Sequence, residues 1–226
     1  MTATTTSPTN ALRSPTQGAT LAAVDLACRR GNRLLFRGVN LELRPGEAIW
    51  LRGHNGCGKT SLLRLVVGLS VPESGRVLWA GAPIGQSNSF AHERVYIGHA
   101  NAMKDDLTVI ESLRFLARIH GRDSGVDALH AALRRVGLEG RRDAIVRTLS
   151  QGQRRRAALA RLALEHTATL WVLDEPYDAL DAEGIGRVDA LLLEHLARGG
   201  SVLLTSHSSP GGGAPPMTEF DLGRFN

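Results

Sequence analysis

The sequence predicts an α/β domain built on a largely parallel sheet, with a helical lobe inserted into it. Strands and helices alternate in the first third of the chain and again in the final third. Between them, residues 107–146 carry apolar side chains three or four positions apart, which is the spacing of amphipathic helices. Because strands that alternate with helices form parallel sheets, we expect the helical middle to be a separate lobe.

The composition is that of a globular protein. The 226 residues are 42% hydrophobic and 22% charged, and two cysteines are too few for a disulfide framework. These values exclude a disulfide miniprotein, a collagen-like fibre and a fully disordered chain. No apolar run approaches the roughly 18 residues of a membrane span. The net charge of +5 permits an anionic partner, but the arginines are scattered, which favours a basic solvated surface over a nucleic-acid-binding face.

The chain divides into a leader and one domain. Residues 1–20 are rich in threonine, serine and proline, and we expect them to be disordered. Residues 21–226 are expected to form a single domain, with a core at about 21–98 and 150–226 and the helical lobe at about 99–149.

Each element of the first third has a recognisable pattern. Residues 34–43 alternate between apolar and polar side chains, as a half-buried strand does, and a Pro-Gly turn follows. Residues 47–52 are typical of a buried strand, and residues 76–80 form another strand after a turn. Residues 59–69 place leucine and valine on one face of a helix.

The later elements follow the same reasoning. Gly121 and Gly137 divide the helical middle of the chain. In the final third of the chain, the pattern of apolar residues predicts a helix at 151–164, a strand at 170–173, a helix at 187–196 and a strand at 202–205. A Gly/Pro-rich loop is expected at 208–216.

A glycine-rich loop joins the strand at 47–52 to the helix at 59–69 and matches the phosphate-binding pattern G-x-x-x-x-G-K-[ST]. Its glycines let backbone N–H groups turn towards phosphate oxygens, and the helix adds the positive end of its dipole. Lys59 is expected to contact the β- and γ-phosphates, and Thr60 to offer its hydroxyl to Mg²⁺. The flanking strand and helix favour this interpretation over a chance Lys-Thr pair. The candidate nucleotide-binding residues here are Gly53, His54, Asn55, Gly56, Cys57, Gly58, Lys59, Thr60 and Ser61.

Two carboxylates, Asp174 and Glu175, follow the apolar strand at 170–173. Ligand sites of parallel sheets lie at the carboxyl ends of the strands. We therefore expect Asp174 to reach Mg²⁺, directly or through water, and Glu175 to polarise the water that attacks the γ-phosphate. Apolar runs that end in Asp-Glu are common, so this motif is a strong indication only together with the phosphate-binding loop.

A third motif, Leu149-Ser150-Gln151-Gly152-Gln153, stands about twenty residues before the acidic strand. Ser150 predicts a helix N-cap, and Gly152 would let an anion approach the start of the helix. An ordinary capped helix is the alternative. The pentapeptide resembles the LSGGQ signature of ATP-binding cassette (ABC) proteins. The order of phosphate loop, signature, acidic strand and a histidine after a strand extends the resemblance from about residue 21 to His207.

The resemblance implies an ABC cassette of the P-loop NTPase class, in which an antiparallel β part accompanies the parallel sheet and the helical lobe. ATP and Mg²⁺ are the implied cofactors, and ATP hydrolysis coupled to transport is the implied activity. The catalytic residues would be Lys59, Glu175 and His207, with the histidine touching the γ-phosphate. Thr60 and Asp174 would be the residues at the metal.

Two cassettes pair head to tail in ABC proteins. The resemblance therefore implies that Ser150, Gly152 and Gln153 act on the nucleotide held by the opposite copy. Residues 179–181 resemble the D-loop of these proteins, which puts Asp181 at the opposite copy as well.

Four stretches are similar to the ATP-binding subunits of the cytochrome c maturation system: residues 34–38, 58–65, 96–100 and 107–113. That similarity implies a membrane subunit of the CcmB type, with CcmC nearby, and a role in haem export or haem-chaperone release. It implies that the chain lies on the cytoplasmic face of the bacterial inner membrane, where the membrane partner holds it. It also implies that nucleic acid is not a partner. The alternatives are a soluble ABC ATPase acting on nucleic acid or ribosomes, and the cassette of another ABC exporter.

Four further features bear on the site. His99 stands where most cassettes have glutamine, and Arg30 stands where most have an aromatic residue that stacks on adenine. Cys57 is expected to fill a tight turn rather than to act as a redox switch. The run Arg154-Arg155-Arg156 is expected to be a solvated helix face rather than a nucleic-acid-binding patch.

Overall fold

The computed structural model describes residues 20–87, 89–167, 169–207 and 211–225. The expected disordered leader, apart from Thr20, and residues 208–210 of the expected loop lie outside these ranges. The described strands are β1 (Leu21–Arg30), β2 (Arg33–Leu43), β3 (Ala48–Arg52), β4 (Ser74–Trp79), β5 (Ala82–Pro83), β6 (Arg94–Ile97), β7 (Leu170–Leu173), β8 (Ser201–Thr205) and β9 (Thr218–Asp221). The described α-helices are α1 (Lys59–Val66), α2 (Val109–Ile119), α3 (Val126–Arg135), α4 (Gln151–Leu159) and α5 (Ala182–Ala197).

Five strands form a parallel sheet in the order β6-β7-β8-β3-β9, which confirms the predicted parallel core. Because β8 lies between β7 and β3, these three strands end side by side at one edge. The glycine-rich loop follows β3, Asp174 and Glu175 follow β7, and His207 lies just beyond β8. Segments that are far apart in the sequence therefore meet at the carboxyl edge of the sheet.

A second sheet is antiparallel and has the order β2-β1-β4-β5, as the resemblance implied. One hydrophobic cluster joins this sheet, α1 and one face of the parallel sheet. Leu62, Leu63, Leu65 and Val66 of α1 are buried in that cluster, as their helical spacing predicted. The helix that follows the glycine-rich loop is thus anchored against both sheets.

The helices α2 and α3 belong to a second hydrophobic cluster, on the other face of the parallel sheet. The strand β7 shows how the two clusters are separated. Leu170 and Val172 belong to the first cluster, whereas Trp171 and Leu173 belong to the second, because successive side chains of a strand point to opposite faces. Within the described ranges, no helix is both long enough and apolar enough to cross a membrane.

Two strands of the parallel sheet were not predicted. β6 has only four residues, which is too short for a clear periodic pattern. β9 is a largely exposed edge strand of sequence Thr-Glu-Phe-Asp, so it lacks the apolar run by which a buried strand is recognised. Pairing with β3 holds β9 in the sheet.

Three helix boundaries also differ from the prediction. α1 ends at Val66 rather than at residue 69, because Gly68 adopts the left-handed conformation (φ 73°). α5 begins five residues earlier than predicted, since Asp181 caps it by accepting a hydrogen bond from the N–H of Gly184 at 2.8 Å. The predicted helix at 151–164 consists of α4 and a 3₁₀ turn, Ala160–Leu164.

A histidine of α5 lies in the core. His195 is fully buried and stacks on Trp171, with ring centroids 3.7 Å apart, and its Nε2 donates to the carbonyl of Thr169 at 2.8 Å. A Cβ at Gly200 would lie 2.1 Å from this nitrogen, so glycine leaves room for the ring. Burial lowers the pKa of His195 from 6.5 to about 4, and burial is also the main cause that lowers the pKa of His120 to about 4.

His195 predicts a loss of stability in mild acid. Its folded-state pKa lies below the unfolded value, so its contribution is complete above about pH 6.5 and is lost as the pH falls towards 4. His195→Phe keeps a ring on Trp171 but cannot titrate. Between about pH 7 and about pH 5, we expect the free energy of unfolding to fall by on the order of 2 kcal/mol more in the wild type than in the variant, as measured with urea.

His166→Phe, at an exposed histidine, is the control for the loss of a histidine side chain outside the core. Identical pH dependence in the wild type and His195→Phe would contradict the prediction.

Candidate functional site

The carboxyl edge of the parallel sheet borders a cavity of about 550 Å³. Three groups of predicted site residues line it: the glycine-rich loop with the start of α1, the carboxylates after β7, and His207. The lining residues are Arg30, Arg33, Leu35, Asn55, Gly56, Gly58, Lys59, Thr60, Ser61, His99, Asp174, Glu175, Asp178 and His207. The fold therefore brings together most of the residues that we expected at the phosphates and both of those that we expected at the metal.

The glycine-rich loop is folded around the Lys59 side chain. Lys59 Nζ donates to the carbonyl of Gly53 at 2.8 Å and lies 3.4 Å from that of His54. Gly58, which precedes α1, has a φ of 105°, and a Cβ there would lie 3.0 Å from the Phe36 ring. A side chain at Gly58 would therefore be strained and crowded. The loop keeps the ammonium group beside its own backbone, at the amino end of a helix.

Three predicted loop residues do not line this cavity. Gly53 and His54 line a neighbouring cavity of about 590 Å³, on the side of β9. Cys57 is buried, and a Cβ at Gly53 would lie only 2.6 Å from its Sγ. This position agrees with the expectation that Cys57 fills a tight turn.

Asp174 connects the helix after the loop to the sheet. The Thr60 hydroxyl donates to one carboxylate oxygen of Asp174 at 2.8 Å, and the Thr205 hydroxyl donates to the other at 2.9 Å. Asp174 is 3% exposed. A carboxylate and a hydroxyl are the hard oxygen donors that Mg²⁺ prefers, so the pair of Thr60 and Asp174 fits the predicted metal position.

Glu175 has an unusual backbone conformation. Its φ is 53°, in the left-handed region that residues other than glycine rarely adopt. Its N–H donates to Thr205 Oγ1 at 2.8 Å, and its carboxylate accepts from the N–H of His207 at 2.9 Å. The His207 ring Nε2 lies 3.7 Å from the same carboxylate. Surrounding contacts thus hold the Glu175 side chain at the cavity despite backbone strain.

The signature residues lie around a different cavity, of about 430 Å³. Ser150 caps α4 as predicted: its Oγ accepts from the N–H of Gln153 at 3.2 Å, and its own N–H donates to Gln153 Oε1 at 3.0 Å. A Cβ at Gly152 would lie 2.4 Å from the carbonyl oxygen of Ala179, so glycine is needed for close packing against this segment. Asp181 lines the same cavity. Among the described residues, this cavity shares no lining residue with the first.

Comparison with known proteins agrees with this geometry. The family model of the ABC transporters matches residues 36–178. The chain is 49% identical over 203 residues to the cytochrome c biogenesis ATP-binding export protein CcmA of Aromatoleum aromaticum, covering 89% of this chain and 94% of that protein. The chain belongs to the CcmA family of ABC transporter ATP-binding proteins.

A CcmA protein of Methylococcus capsulatus is 48% identical over 190 residues, which cover 84% of this chain and 91% of that protein. A putative ABC transporter ATP-binding protein from Pyrococcus furiosus has the same fold, with a TM-score of 0.78 at 23% identity, over 91% of this chain and 98% of that one. A solved ATP-binding subunit of an ABC transporter gives a TM-score of 0.74 at 25% identity, over 83% and 79% of the two chains.

One prediction about this CcmA-family chain is wrong. Arg155 does not belong to a solvated helix face, because it is 3% exposed. Its guanidinium donates to the carbonyls of Asp174 and Glu175 at 2.6 and 2.9 Å. The spacing could have shown this, since Arg155 stands three, four and seven residues before side chains that are buried: Ala158, Leu159 and Leu162.

Thr205 is another site residue that the sequence did not identify. It is the last residue of β8 and is fully buried. Its hydroxyl contacts both residues of the acidic pair, as acceptor from the Glu175 N–H and as donor to Asp174. A threonine at the end of an apolar strand carries no local signal of such a role.

Because the Thr205 hydroxyl makes two hydrogen bonds, we expect its removal alone to lower the free energy of unfolding. Thr205→Val has a similar shape but leaves the buried Glu175 N–H without this acceptor. We expect a loss of about 1–3 kcal/mol in the free energy of unfolding, measured with urea. Thr205→Ser keeps the hydroxyl and should retain most of that stability. Wild-type stability in the valine variant, or equal losses in both variants, would contradict this role.

Proposed function

We propose that this chain is the ATP-hydrolysing subunit of a transporter that serves cytochrome c biogenesis. The observation that carries the proposal is the meeting of Lys59, the Thr60–Asp174 pair and Glu175 at one cavity. The similarity to CcmA export proteins supports export in cytochrome c biogenesis over action on nucleic acid or ribosomes, and over the cassette of another exporter. Haem export or haem-chaperone release is the proposed step that hydrolysis drives.

The glycine-rich loop is proposed to bind the ATP phosphates. Backbone N–H groups at the start of α1 attract anions, and the Lys59 ammonium adds a full charge. That ammonium rests on neutral carbonyls in this structure. Phosphate oxygens are stronger acceptors for a charged donor, so Lys59 can exchange one set of partners for the other.

Thr60 and Asp174 are proposed to hold Mg²⁺. The bound ion would neutralise charge on the β- and γ-phosphate oxygens. Their present hydrogen bond keeps both oxygens at the amino end of α1, next to Lys59. Thr205 fixes the second oxygen of Asp174, which restricts the rotation of this carboxylate.

Glu175 is proposed to orient the attacking water and accept its proton. An ionised carboxylate only accepts hydrogen bonds, and one of its oxygens is occupied by the N–H of His207. The other oxygen faces the His207 ring at 3.7 Å. The His207 side chain is 65% exposed and can turn towards a γ-phosphate, as the resemblance implies.

Ser150, Gly152, Gln153 and Asp181 are proposed to act on the nucleotide of a second copy. Their cavity is separate from the one that Lys59 lines. One chain therefore carries both a phosphate-binding loop and a signature. A head-to-tail pair would put each signature against the phosphates bound by the other copy. Gly152 would allow the close approach on the outer side while it packs on Ala179 within its own chain.

The proposed roles predict a separation of binding from hydrolysis in Glu175→Gln. The variant keeps the phosphate-binding loop but loses the proton acceptor, so it should bind ATP and hydrolyse it about a hundred- to ten-thousandfold more slowly. Since hydrolysis would separate the pair, the variant should accumulate as an ATP-bound dimer. ATPase assays and size-exclusion chromatography with light scattering measure both effects.

The two lysines of the chain supply the controls. Lys59→Ala removes the charge aimed at the phosphates and should abolish both ATP binding and dimer formation. Lys104, which lies over the Phe115 ring, is outside the cavity, and Lys104→Ala should behave as the wild type. Normal turnover in Glu175→Gln would overturn the proposed base, and normal turnover in Lys59→Ala would overturn the proposed phosphate site.

A membrane subunit of the CcmB type, with CcmC nearby, is the proposed partner at the cytoplasmic face of the inner membrane. The helical lobe, at about residues 99–149, is the proposed docking face because it follows the loop of His99. Three apolar side chains of α2 and α3 support this assignment, since each is between 43% and 59% exposed: Phe115, Ile119 and Val126.

Membrane association is therefore expected to depend on the partner. Expressed with its membrane subunit, the full chain should fractionate with membranes, and without that subunit it should not. Ile119→Asp should weaken the association and leave ATP affinity unchanged. Leu193→Asp, at a similarly exposed leucine of α5, is the matched control. Equal association without the subunit would indicate direct binding to lipid through the arginines instead.

A further inference from the structure

Arg155 is a buried cation at the meeting point of three chain segments. It belongs to α4, five residues after the Ser150 cap. One guanidinium nitrogen donates to the carbonyl of Gly98 at 2.9 Å and to Asn101 Oδ1 at 3.0 Å. The other donates to the carbonyls of Asp174 and Glu175. These four bonds tie the signature helix both to the end of β7 and to the loop at 98–101.

Both of the tied segments form walls of the nucleotide cavity. The loop at 98–101 carries His99, and the end of β7 carries Asp174 and Glu175, all of which line the cavity. Arg155 itself lies behind these walls and does not line the cavity. It would not touch a nucleotide in this cavity, so we expect it to act on hydrolysis mainly through the residues that it holds.

Packing alone does not account for a charged group at this position. All four acceptors are neutral oxygens, so no direct ion pair offsets the cost of burying the guanidinium. Burial lowers the pKa of Arg155, and the nearby carboxylates of Asp174, Asp178 and Glu175 act in the opposite direction. An apolar side chain would fill the space at lower cost, but it could not donate hydrogen bonds to these four oxygens as the guanidinium does.

The conformation of Glu175 explains what these bonds achieve. A φ of 53° persists in a residue with a side chain only when its surroundings fix it. Thr205 holds the Glu175 N–H, Arg155 holds its carbonyl, and the N–H of His207 holds its carboxylate. Thr205 and His207 lie at the end of β8 and just beyond it, whereas Arg155 reaches Glu175 from α4.

We propose that Arg155 is a positioning residue that fixes the Glu175 backbone, and with it the carboxylate, relative to the loop of His99. The assignment rests on the proposed role of Glu175 in hydrolysis. Because Arg155 stands on the helix that begins at the signature, a displacement of α4 would be transmitted to the backbone of the acidic pair.

The test is single-turnover hydrolysis of ATP by the full chain, with ATP affinity measured separately at equilibrium. Arg155→Gln should lower the hydrolysis rate about a hundredfold, because a small displacement of a catalytic group such as the Glu175 carboxylate slows a reaction by about that factor. Its ATP affinity should stay within about twofold of the wild type, since the phosphate-binding loop is untouched. Arg154→Gln removes the same charge from the same helix turn, where Arg154 pairs with Asp105 at the surface, and should keep the wild-type rate.

The decisive measurement repeats the substitution in the Glu175→Gln background. If Arg155 acts through the Glu175 carboxylate, Arg155→Gln should cause no further loss there, whereas a general disturbance of the fold would slow both backgrounds equally. Equal losses in the two backgrounds would overturn the positioning role, as would a fall in ATP affinity as large as the fall in rate. Wild-type activity in Glu175→Gln alone would instead overturn the proposed base.

Arg155→Lys covers the case in which the glutamine variant does not fold. Lysine keeps the charge and most of the apolar stem but lacks the planar fork. It should show a smaller loss of rate that again disappears in the Glu175→Gln background. A lysine variant with the full wild-type rate would show that the planar geometry is unimportant and would contradict the proposal.

Discussion

The side chain of Asp174 is the junction on which the site depends. Its two carboxylate oxygens accept hydrogen bonds from Thr60 at the start of α1 and from Thr205 at the end of β8. Thr60 is 114 residues and Thr205 is 31 residues from Asp174 along the chain, and this one buried group joins them. In that setting of low polarity, each of these bonds is stronger than it would be in water.

The order of the strands makes this junction possible. β8 lies between β3 and β7, so Thr205 stands beside Asp174 while the glycine-rich loop projects from the strand on its other side. The hydrophobic clusters on the two faces of the sheet hold this order. The helix α1, buried against one of them, cannot shift without moving Thr60 away from Asp174. The packing of the core therefore fixes the distances within the polar site.

The site carries several unfavourable features at once. Glu175 and Ala179 both have positive φ values, at 53° and 59°, and Arg155 is buried without a direct ionic partner. Such features cost stability and persist because surrounding contacts determine them. The two positive φ values lie between β7 and α5, and Arg155 donates to the start of that segment, which indicates that the segment is shaped for the site rather than for stability. The same segment packs on Gly152. The acidic pair and the signature are therefore connected through this segment although they face different cavities.

The sequence by itself determined the elements with a local signal. The phosphate-binding loop was predicted because its glycines and Lys59 follow a strand and open a helix. The cap at Ser150 and the strand at 170–173 have equally local causes, in a hydroxyl before a helix and in an apolar run. The tertiary structure alone decided the roles of Arg155 and Thr205, because their partners are 19 to 57 residues away. It also decided that β9 is a strand, since an exposed edge strand is specified by the neighbour that it pairs with and not by its own side chains.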